Sequence, residues 1–380
     1  MVNTLANSTN SKNIIYSKIF ILLSSLSKNL MGMFNLIYLY NHGFSLVELA
    51  LWQLIVHLCY LILQPLSLKF SYKFSNKILI SMSLLFFILT YTQLIFSLNS
   101  FIDLILNAIL FTTYATFYWN LKHSLEFNTL DDKKKKKKVG IILIIGQVAE
   151  ILSSLISSFI LDYFSIIPLF ITSSIFMIIA VIYVFKIDEK RKKKPKGSLL
   201  TYFKVVPKTT LFHMFLREAS TVMGNFFSIY LYIYVSNTYS FAGFTNFLLG
   251  LASIIFIYFI SNKIDKKRES YLLLSTILLC LVYLFKINIT TEVVLVVVFL
   301  EGFIKQFFSI VSNNNYYLLG YDLDKTTYIC SNAFFLNASR AIILVIGFFL
   351  TGSLPKLMYF CIGLLVLSGF VPFKINKKVL

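Results

Sequence analysis

The chain consists of long apolar runs separated by short polar stretches. A helix needs about 20 apolar residues to cross a hydrocarbon core of roughly 30 Å. Applied along the 380 residues, this requirement predicts twelve membrane-spanning helices. The predicted spans are 19–40, 45–67, 77–97, 101–122, 139–161, 164–185, 209–235, 241–261, 270–288, 292–313, 328–351 and 355–373. The pattern therefore predicts an all-α integral membrane protein.

The composition supports this fold class. Hydrophobic residues make up 58% of the chain and charged residues 13%, whereas soluble domains carry about 25% charged residues. A soluble protein of this size has no means of hiding so much apolar surface, which argues against a soluble enzyme, a nucleic-acid binder and a disordered protein. The four cysteines have no metal-site spacing and lie in or beside apolar runs, so we expect neither disulfides nor a metal site.

The basic residues predict the orientation of the chain. The net charge is +19, and 29 of the 35 lysines and arginines fall in the tails and in every second loop. The other loops hold two, Lys286 and Lys356. Because lysine and arginine in short loops favour the cytoplasmic side, we expect both termini to lie in the cytoplasm. We expect the membrane to be the plasma membrane of the cell. The runs at 133–138 and 186–196 then contact anionic lipid headgroups, and no nucleic acid is expected.

An internal repeat divides the chain. Met31–Tyr40 reads MGMFNLIYLY and Met223–Tyr232 reads MGNFFSIYLY, with seven of ten positions identical. The basic loops after predicted spans 2 and 8 correspond at nearly the same offset. Both copies start on the same side of the membrane, so the repeat is parallel. We predict a six-helix bundle at 1–185, a basic cytoplasmic linker at 186–208 and a second six-helix bundle at 209–380.

Two parallel six-helix repeats are the arrangement of the major facilitator superfamily, and the whole chain resembles a transporter of that family. The family carries a basic loop signature, Gly-x-x-x-Asp-Arg-x-Gly-Arg-Arg/Lys, after helices 2 and 8. Its basic positions are matched here by Lys73 and Lys77 in the first loop and by Lys263 and Lys267 in the second. The signature's aspartate is replaced by Tyr72 and Asn262, so the latch that this aspartate forms in the family is not expected here.

Ionisable residues form a belt at the middle of the predicted spans. Charged side chains are costly in hydrocarbon, so they usually face a protein interior or a water-filled cavity. At about 1.5 Å per residue, eight of them lie roughly 12–18 Å deep. They are Lys28, His57, Glu150, Arg217, Glu218, Glu301, Lys305 and Arg340. They fall on the helices that the resemblance implies line a central cavity, and they are our candidates for binding substrate or protons.

Glu150 has the most polar surroundings among these candidates. Gln147 lies three residues before it, and serines follow on the same helical face. The repeat offset puts Glu150 opposite the neighbourhood of Arg340, which has Asn337 three residues before it. We expect Glu150 and Arg340 to face each other, either as a substrate or proton site or as a structural ion pair between the halves.

Two further pairs have alternatives that the sequence leaves open. Glu301 and Lys305 stand four residues apart on one predicted helix, in the favourable order for an ion pair, so they either neutralise each other or serve the cavity. Arg217 and Glu218 are adjacent and point about 100° apart, so at most one of them faces the cavity centre.

The remaining candidates are single residues. Lys28, with Asn35 two turns further on, either binds an anionic group or pairs with a glutamate. His57 stands alone on an apolar face and is either a buried core histidine or a proton carrier. Trp119 and Asn120 are interpreted as either a cavity wall or an interfacial anchor.

These observations predict a secondary active transporter that moves a small polar or charged organic solute by alternating access, coupled to protons. The sequence contains no phosphate-binding loop, metalloprotease motif or nucleophile elbow, so we expect no enzyme activity and no cofactor. The expected partners are a small-molecule substrate and lipid, and the expected state is a monomer. Two alternatives stay open: a transporter-like sensor or accessory protein that moves nothing, and a drug or peptide exporter.

Overall fold

The computed structural model describes residues 2–32, 34–129, 135–187, 199–260, 268–288, 291–319, 325–349 and 352–371. These ranges are helical apart from short connections and contain no strand. The helices are α1 (Val2–Gly32), α2 (Asn35–Asn41), α3 (Leu46–Lys73), α4 (Asn76–Phe96), α5 (Phe101–Thr129), α6 (Lys135–Tyr163), α7 (Ile166–Phe185), α8 (Leu199–Val205), α9 (Lys208–Tyr234), α10 (Tyr239–Ile260), α11 (Arg268–Ile287), α12 (Thr291–Leu319), α13 (Lys325–Leu344) and α14 (Leu354–Phe370). A π-helical turn, Val345–Phe349, extends α13.

A helix stands at each of the twelve predicted spans. Within the described ranges, nine helical segments are long and apolar enough to cross a membrane, and α11 and α14 contribute shorter apolar stretches. The 27-residue α9 is long enough, but polar residues such as Arg217 and Glu218 lower its mean hydropathy. The all-α membrane fold is therefore confirmed, while the count of twelve crossings stays a prediction.

The two copies of the sequence repeat differ in backbone conformation. The first copy falls on the junction between α1, which ends at Gly32, and α2, which begins at Asn35. The second copy lies within the continuous helix α9. The single helix predicted at 19–40 is thus two helices. The predicted linker also contains a short helix, α8, whose Tyr202 hydroxyl donates to Asn332 Oδ1 on α13 at 2.8 Å.

Local sequence explains where several helices start and stop. Ser45 and Glu48 form a capping box at the start of α3, in which the serine side chain accepts from the Glu48 N–H and the glutamate accepts from the Ser45 N–H. Ser75 caps α4 by accepting from the Ile78 N–H. The turn after α2 contains Gly43 with φ +89°, a left-handed conformation that glycine adopts without steric cost.

The packing order of the helices repeats between the two halves of the chain. In the first half, neighbouring helices follow the order α6, α1, α7, α4, α5, α3. In the second half the order is α13, α9, α14, α11, α12, α10. Each helix of the first order has its counterpart at the same place in the second, as a duplicated six-helix unit requires. The halves meet chiefly where α6 packs on α10 and α3 packs on α13.

Glycine allows one of these contacts to be close. A Cβ added to Gly243 on α10 would fall on the side chain of Ser158 and lie 2.8 Å from the Ser154 carbonyl oxygen on α6. Small residues at helix crossings let two backbones approach in this way, and dispersion contacts then stabilise the crossing. Large apolar side chains such as Ile62, Ile102 and Tyr258 are exposed on the outside of the bundle, where lipid would cover them.

Polar contacts join the halves at one end of the bundle, opposite the start of α1 and the end of α14. This end is here called the loop end. Asn41 Nδ2 donates to the hydroxyls of Tyr232 and Tyr239, each at 2.9 Å. Asp162 at the end of α6 accepts from the Tyr239 N–H at 3.2 Å and from the Ser240 N–H at 2.8 Å. Asp162 therefore caps the first turn of α10 from the other half of the chain.

Candidate functional site

A cavity of about 380 Å³ lies between the two halves. Its walls come from α1 to α3, α5 and α6 of the first half and from α9, α10 and α13 of the second. The polar and charged residues among its lining are Lys28, Asn29, Asn35, Trp52, Gln53, His57, Tyr60, Tyr114, Trp119, Glu150, Asn225, Ser228, Asn246, Asn337 and Arg340. Its volume is within the range of small-molecule sites.

The repeat places equivalent residues on this cavity. Gly32 and Gly224 occupy the same position in the two copies and both line the cavity, as do Leu36 and Ser228. Asn225 lies in the second copy and also faces the cavity. It is uncharged, so it was not among the ionisable residues that the sequence singled out. A search for neutral polar residues within the repeat would have found it.

The wall formed by α1 and α5 combines lysine with tryptophan. Lys28 Nζ lies 4.8 Å from the centroid of the Trp119 ring, and Lys122 Nζ lies 4.6 Å from the same centroid. The His123 ring stacks on Trp119 with centroids 5.4 Å apart. Trp119 thus belongs to the cavity wall. Its neighbour Asn120 is buried behind it and donates to Gln64 Oε1 at 3.1 Å and to Ser67 Oγ at 2.5 Å.

Glu150 lies on the cavity wall contributed by α6. Gln147 Nε2 donates to Glu150 Oε2 at 3.4 Å, as their spacing predicts. The serines that follow on the same helical face do not line the cavity. Ser154 is buried and donates to the Ile151 carbonyl at 2.8 Å, because this part of α6 packs against α10.

Arg340 lines the same cavity as Glu150, but a different carboxylate holds it. Arg340 Nε donates to Glu218 Oε2 at 2.6 Å. Arg217 Nη2 lies 3.6 Å from the other carboxylate oxygen of Glu218. The Glu218 side chain is 2% exposed, whereas that of Arg340 is 23% exposed. Glu218 is therefore the buried anchor of the pair, and Arg340 presents its remaining surface to the cavity.

Neutral polar side chains connect the halves across the cavity. His57 Nδ1 on α3 donates to Asn337 Oδ1 on α13 at 2.9 Å. Asn225 Nδ2 on α9 donates to Gln53 Oε1 on α3 at 3.5 Å. His57, which the sequence left as either core or proton carrier, is thus buried yet bonded to the opposite half. Asn35 also lines the cavity and donates to the Tyr91 hydroxyl at 3.5 Å.

Glu301 forms a buried ion pair away from the lining of this cavity. The sequence offered Lys305 as one possible partner and counted Lys286, near the end of the span predicted at 270–288, with an outer loop. The structure instead places Lys286 within α11, with its ammonium bonded to Glu301 Oε2 and with both side chains at most 3% exposed. The ammonium also lies 3.0 Å from the centroid of the Phe227 ring. The loop assignment was wrong because a lysine near a helix end can reach into the protein along its flexible stem.

Two of the four lysines that match the basic loop signature lie among the described residues. Lys73 lies over the Phe74 ring at 5.4 Å and Lys77 over the Phe185 ring at 6.0 Å. Lys263 and Lys267 lie outside the described residues. Tyr72, at the position of the family's aspartate, has its hydroxyl 3.5 Å from Thr327 Oγ1 on α13. A neutral contact therefore joins the halves at this place.

The described residues contain no group of three or more His, Cys, Asp or Glu side chains that could hold a metal ion. The four cysteines are free thiols. The cavity lining itself offers one carboxylate, Glu150, two cations, Lys28 and Arg340, and several side chains that form hydrogen bonds.

Comparisons with known proteins agree on the fold. The human organic anion transporter MFSD10 (TETRAN) superposes with a TM-score of 0.69 at 13% identity, covering 95% of this chain and 99% of that one. A mutant form of the nucleoside transporter NupG superposes with a TM-score of 0.70 at 11% identity, covering 94% of this chain and 98% of that one. No curated protein matches the sequence significantly. The family model described as Major Facilitator Superfamily matches residues 19–328. The chain therefore belongs to the major facilitator superfamily and is a multi-pass membrane protein of a transporter family.

Proposed function

We propose that the protein is a secondary active transporter that moves a small polar or charged organic solute by alternating access, coupled to protons. The observation that carries this proposal is the cavity between the halves, with Glu150 on one wall and Arg340 on another. A solute held between two bundles is exposed to one side or the other as the bundles rock about it. Such a protein carries out no enzyme reaction.

The contacts between the halves suit repeated opening and closing. The cross-cavity bonds of His57 with Asn337 and of Asn225 with Gln53 join uncharged amides and an imidazole. Bonds of this kind contribute about 1 kcal/mol each, so they break and form again at modest cost. The strong ion pairs Arg340–Glu218 and Lys286–Glu301 each lie within the second half, where a rocking motion leaves them intact.

Glu150 is the favoured proton carrier. Of the three glutamates in the belt, Glu218 and Glu301 are bonded to cations. Among the described residues no lysine, arginine or histidine forms an ion pair with Glu150, which faces the cavity. A carboxylate with no fixed cation is free to exchange a proton with the cavity. Glu301, the second choice after Glu150 on sequence grounds, is less suited because Lys286 holds it.

The proposal includes a topology. Residues 1–185 and 209–380 form the two bundles, joined by the cytoplasmic linker 186–208, with both termini in the cytoplasm and the chain in the plasma membrane as a monomer. The matching helix order in the two halves supports the division. The basic loops then lie against anionic headgroups.

Uptake into proteoliposomes under an imposed pH gradient tests the proposal, with a panel of anionic, cationic, zwitterionic and neutral solutes. We expect one class to accumulate and a protonophore to abolish the accumulation. Glu150→Gln should lose accumulation yet retain exchange of labelled for unlabelled solute. Glu48→Gln is the matched control, because Glu48 caps α3 outside the cavity and glutamine keeps an acceptor there.

Two results would contradict the proposal. Accumulation that persists in Glu150→Gln would remove this carboxylate from proton coupling. Absence of flux for every solute, with binding unchanged by Glu150→Gln, would favour the alternative of a transporter-like sensor.

A further inference from the structure

Two side chains of opposite charge line the cavity without pairing with each other. Lys28 lies on α1 and Glu150 on α6, and both helices belong to the first half. Within the described ranges neither side chain forms an ion pair. Glu150 accepts a long hydrogen bond of 3.4 Å from Gln147 Nε2, and the Lys28 ammonium lies over the Trp119 ring. The first half therefore brings one positive and one negative charge to the cavity, and these two charges balance.

The two charged groups belong to adjacent walls of the cavity. Helices α1 and α6 pack side by side, and the Lys28 ammonium is near enough to the Glu150 carboxylate for the two charges to attract. Because the groups do not touch, neither of them has an opposite charge in contact with it on the described part of the chain. A charge that is shielded from water is costly unless an opposite charge or hydrogen bonds compensate it. Both groups are thus prepared to bind a charged ligand.

The remaining charged side chain of the described lining, Arg340, already has its partner. Its Nε donates to the buried Glu218 carboxylate of the same half. The charged side chains of the lining, taken together with Glu218, therefore sum to zero. A solute that is only an anion would bring a second negative charge towards Glu150, and a solute that is only a cation would bring a second positive charge towards Lys28. A solute with one charge of each sign satisfies both groups.

Aromatic side chains line the cavity as well. Trp52 and Tyr60 on α3 and Phe111 and Tyr114 on α5 contribute to its walls. Flat rings of this kind pack against apolar or aromatic portions of a ligand. A volume of about 380 Å³ suits a small molecule. The cavity therefore offers an apolar surface in addition to its two charged groups.

We propose that the solute is a small zwitterion with an apolar or aromatic body. Its anionic group contacts the Lys28 ammonium, its ammonium contacts the Glu150 carboxylate, and its body packs on the rings of α3 and α5. This inference rests on the proposed function, because it assigns a substrate class to the same cavity. The proton and the ammonium of the solute then occupy Glu150 in turn, so exchange by Glu150→Gln requires a higher solute concentration than exchange by the original protein.

Three compounds that differ only in their charged groups test the substrate class. Phenylalanine carries an ammonium and a carboxylate, phenethylamine lacks the carboxylate, and hydrocinnamate lacks the ammonium. Binding of each compound to the full chain in detergent is measured by isothermal titration calorimetry at neutral pH. We expect phenylalanine to bind about tenfold or more tightly than either analogue, because each analogue leaves one charged group of the site without its partner.

Two substitutions assign the contacts to residues. Lys28→Met should weaken the binding of phenylalanine and of hydrocinnamate by about tenfold or more, without weakening that of phenethylamine. Glu150→Gln should weaken the binding of phenylalanine and of phenethylamine, without weakening that of hydrocinnamate. This crossed pattern distinguishes direct contacts from a general loosening of the protein, which would weaken the binding of all three compounds together.

Lys186→Met and Glu48→Gln are the matched controls. The Lys186 ammonium also lies over a ring, that of Tyr183 at 5.2 Å, and Glu48 caps α3, but neither residue lines the cavity. Both variants should leave the three affinities unchanged. Thermal unfolding establishes that each variant is folded, and the comparison of the three compounds on the original protein stands even where a variant fails to fold.

Several results would overturn the proposal. Phenylalanine that does not bind, or that binds no more tightly than one of its analogues, would show that the cavity does not recognise a zwitterion. An equal loss of affinity for phenylalanine and phenethylamine in Lys28→Met would remove Lys28 from the site. An equal loss for phenylalanine and hydrocinnamate in Glu150→Gln would do the same for Glu150.

The outcome is separable from that of the proposed function. If the three compounds bind in the crossed pattern but no solute is transported, the zwitterion site stands and the transport proposal falls. If an anionic or a cationic solute is accumulated in a Glu150-dependent manner while phenylalanine binds no better than its analogues, transport stands and the zwitterion site falls.

Discussion

Glu218 and Arg340, which stand 122 positions apart on α9 and α13, are joined by a 2.6 Å hydrogen bond between the carboxylate and the guanidinium Nε. The carboxylate is buried and the guanidinium reaches the cavity. This pair fixes the arginine from behind, so the cavity receives an oriented cation whose charge is largely compensated. The sequence had suggested Glu150 as the residue facing Arg340.

Removing the buried member of this pair should destabilise the protein. Glu218→Gln leaves Arg340 without its anion in a site that is mostly shielded from water, and we expect a loss of about 3 kcal/mol in the free energy of unfolding. The double variant Glu218→Gln/Arg340→Met should recover part of that loss, because it removes the unpaired charge. Unfolding in mixed detergents measures both. An unfolding curve for Glu218→Gln that matches the original protein would mean that the pair contributes little.

Asp162 should control the opening of the loop end. Asp162→Ala removes the cap that α6 supplies to α10, which is worth about 1 kcal/mol, and should raise the population open at the loop end about fivefold. The measurement is the labelling rate of Ser228→Cys, a cavity position, by a charged maleimide in a background without other cysteines.

The matched control for this experiment is Asp103→Ala. Asp103 accepts from the Ser100 hydroxyl at 2.8 Å and from the Asn99 N–H at 3.1 Å, so it makes the same kind of cap inside one half. The Asp103→Ala variant should lower the stability of the protein without changing the labelling rate of Ser228→Cys. Equal acceleration by the two variants would show that labelling reports general loosening rather than opening at the α6–α10 contact.

The crossing of α6 and α10 should be intolerant of a single methyl group. Gly243→Ala drives a Cβ into the Ser158 side chain and towards the Ser154 carbonyl, and should cost about 1–3 kcal/mol of stability. Gly146→Ala, on α6 with no atom within 4 Å of the added Cβ, should instead be neutral or stabilising by up to about 1 kcal/mol. Gly243→Ala should therefore lower the thermal unfolding temperature, and Gly146→Ala should leave it unchanged or raise it. Equal destabilisation would argue against close packing at this crossing.

Lys286 and Lys305 offer a direct test of which lysine neutralises Glu301. Lys286→Met leaves a buried carboxylate unpaired and should cost about 3–5 kcal/mol. Lys305→Met should cost less than about 1 kcal/mol, the range of pairs four residues apart on a helix. Denaturant or thermal unfolding distinguishes the two variants. A larger loss in Lys305→Met would restore the pairing suggested by the spacing along α12.

The sequence predicted the helices well because membrane insertion is a local requirement. Each span needs a run of apolar residues, and the run is visible without knowledge of its neighbours. The interruption between Gly32 and Asn35 escaped this criterion because both flanking segments are apolar. The short helix α8 escaped it as well, because seven residues are too few to produce a hydropathy signal.

The partners of the charged residues required the tertiary structure. The sequence singled out Lys28, Glu150 and Arg340 as ionisable residues within the predicted spans, and all three line one cavity. It did not identify Glu218 as the partner of Arg340 or Lys286 as the partner of Glu301. Spacing along one helix reveals partners on that helix alone, whereas these partners lie on different helices.

Apolar runs were thus enough to determine a helical membrane protein, because each run is read from residues close together in the chain. The basic loops and the repeated MG-x-F motif predicted its orientation and its duplicated design. Only the packing of the helices against one another decided how each helix is rotated about its axis. That rotation determines whether a given side chain forms an ion pair, faces lipid or lines the cavity. Side-chain packing between distant segments fixes that rotation, and hydropathy along a single segment does not contain it.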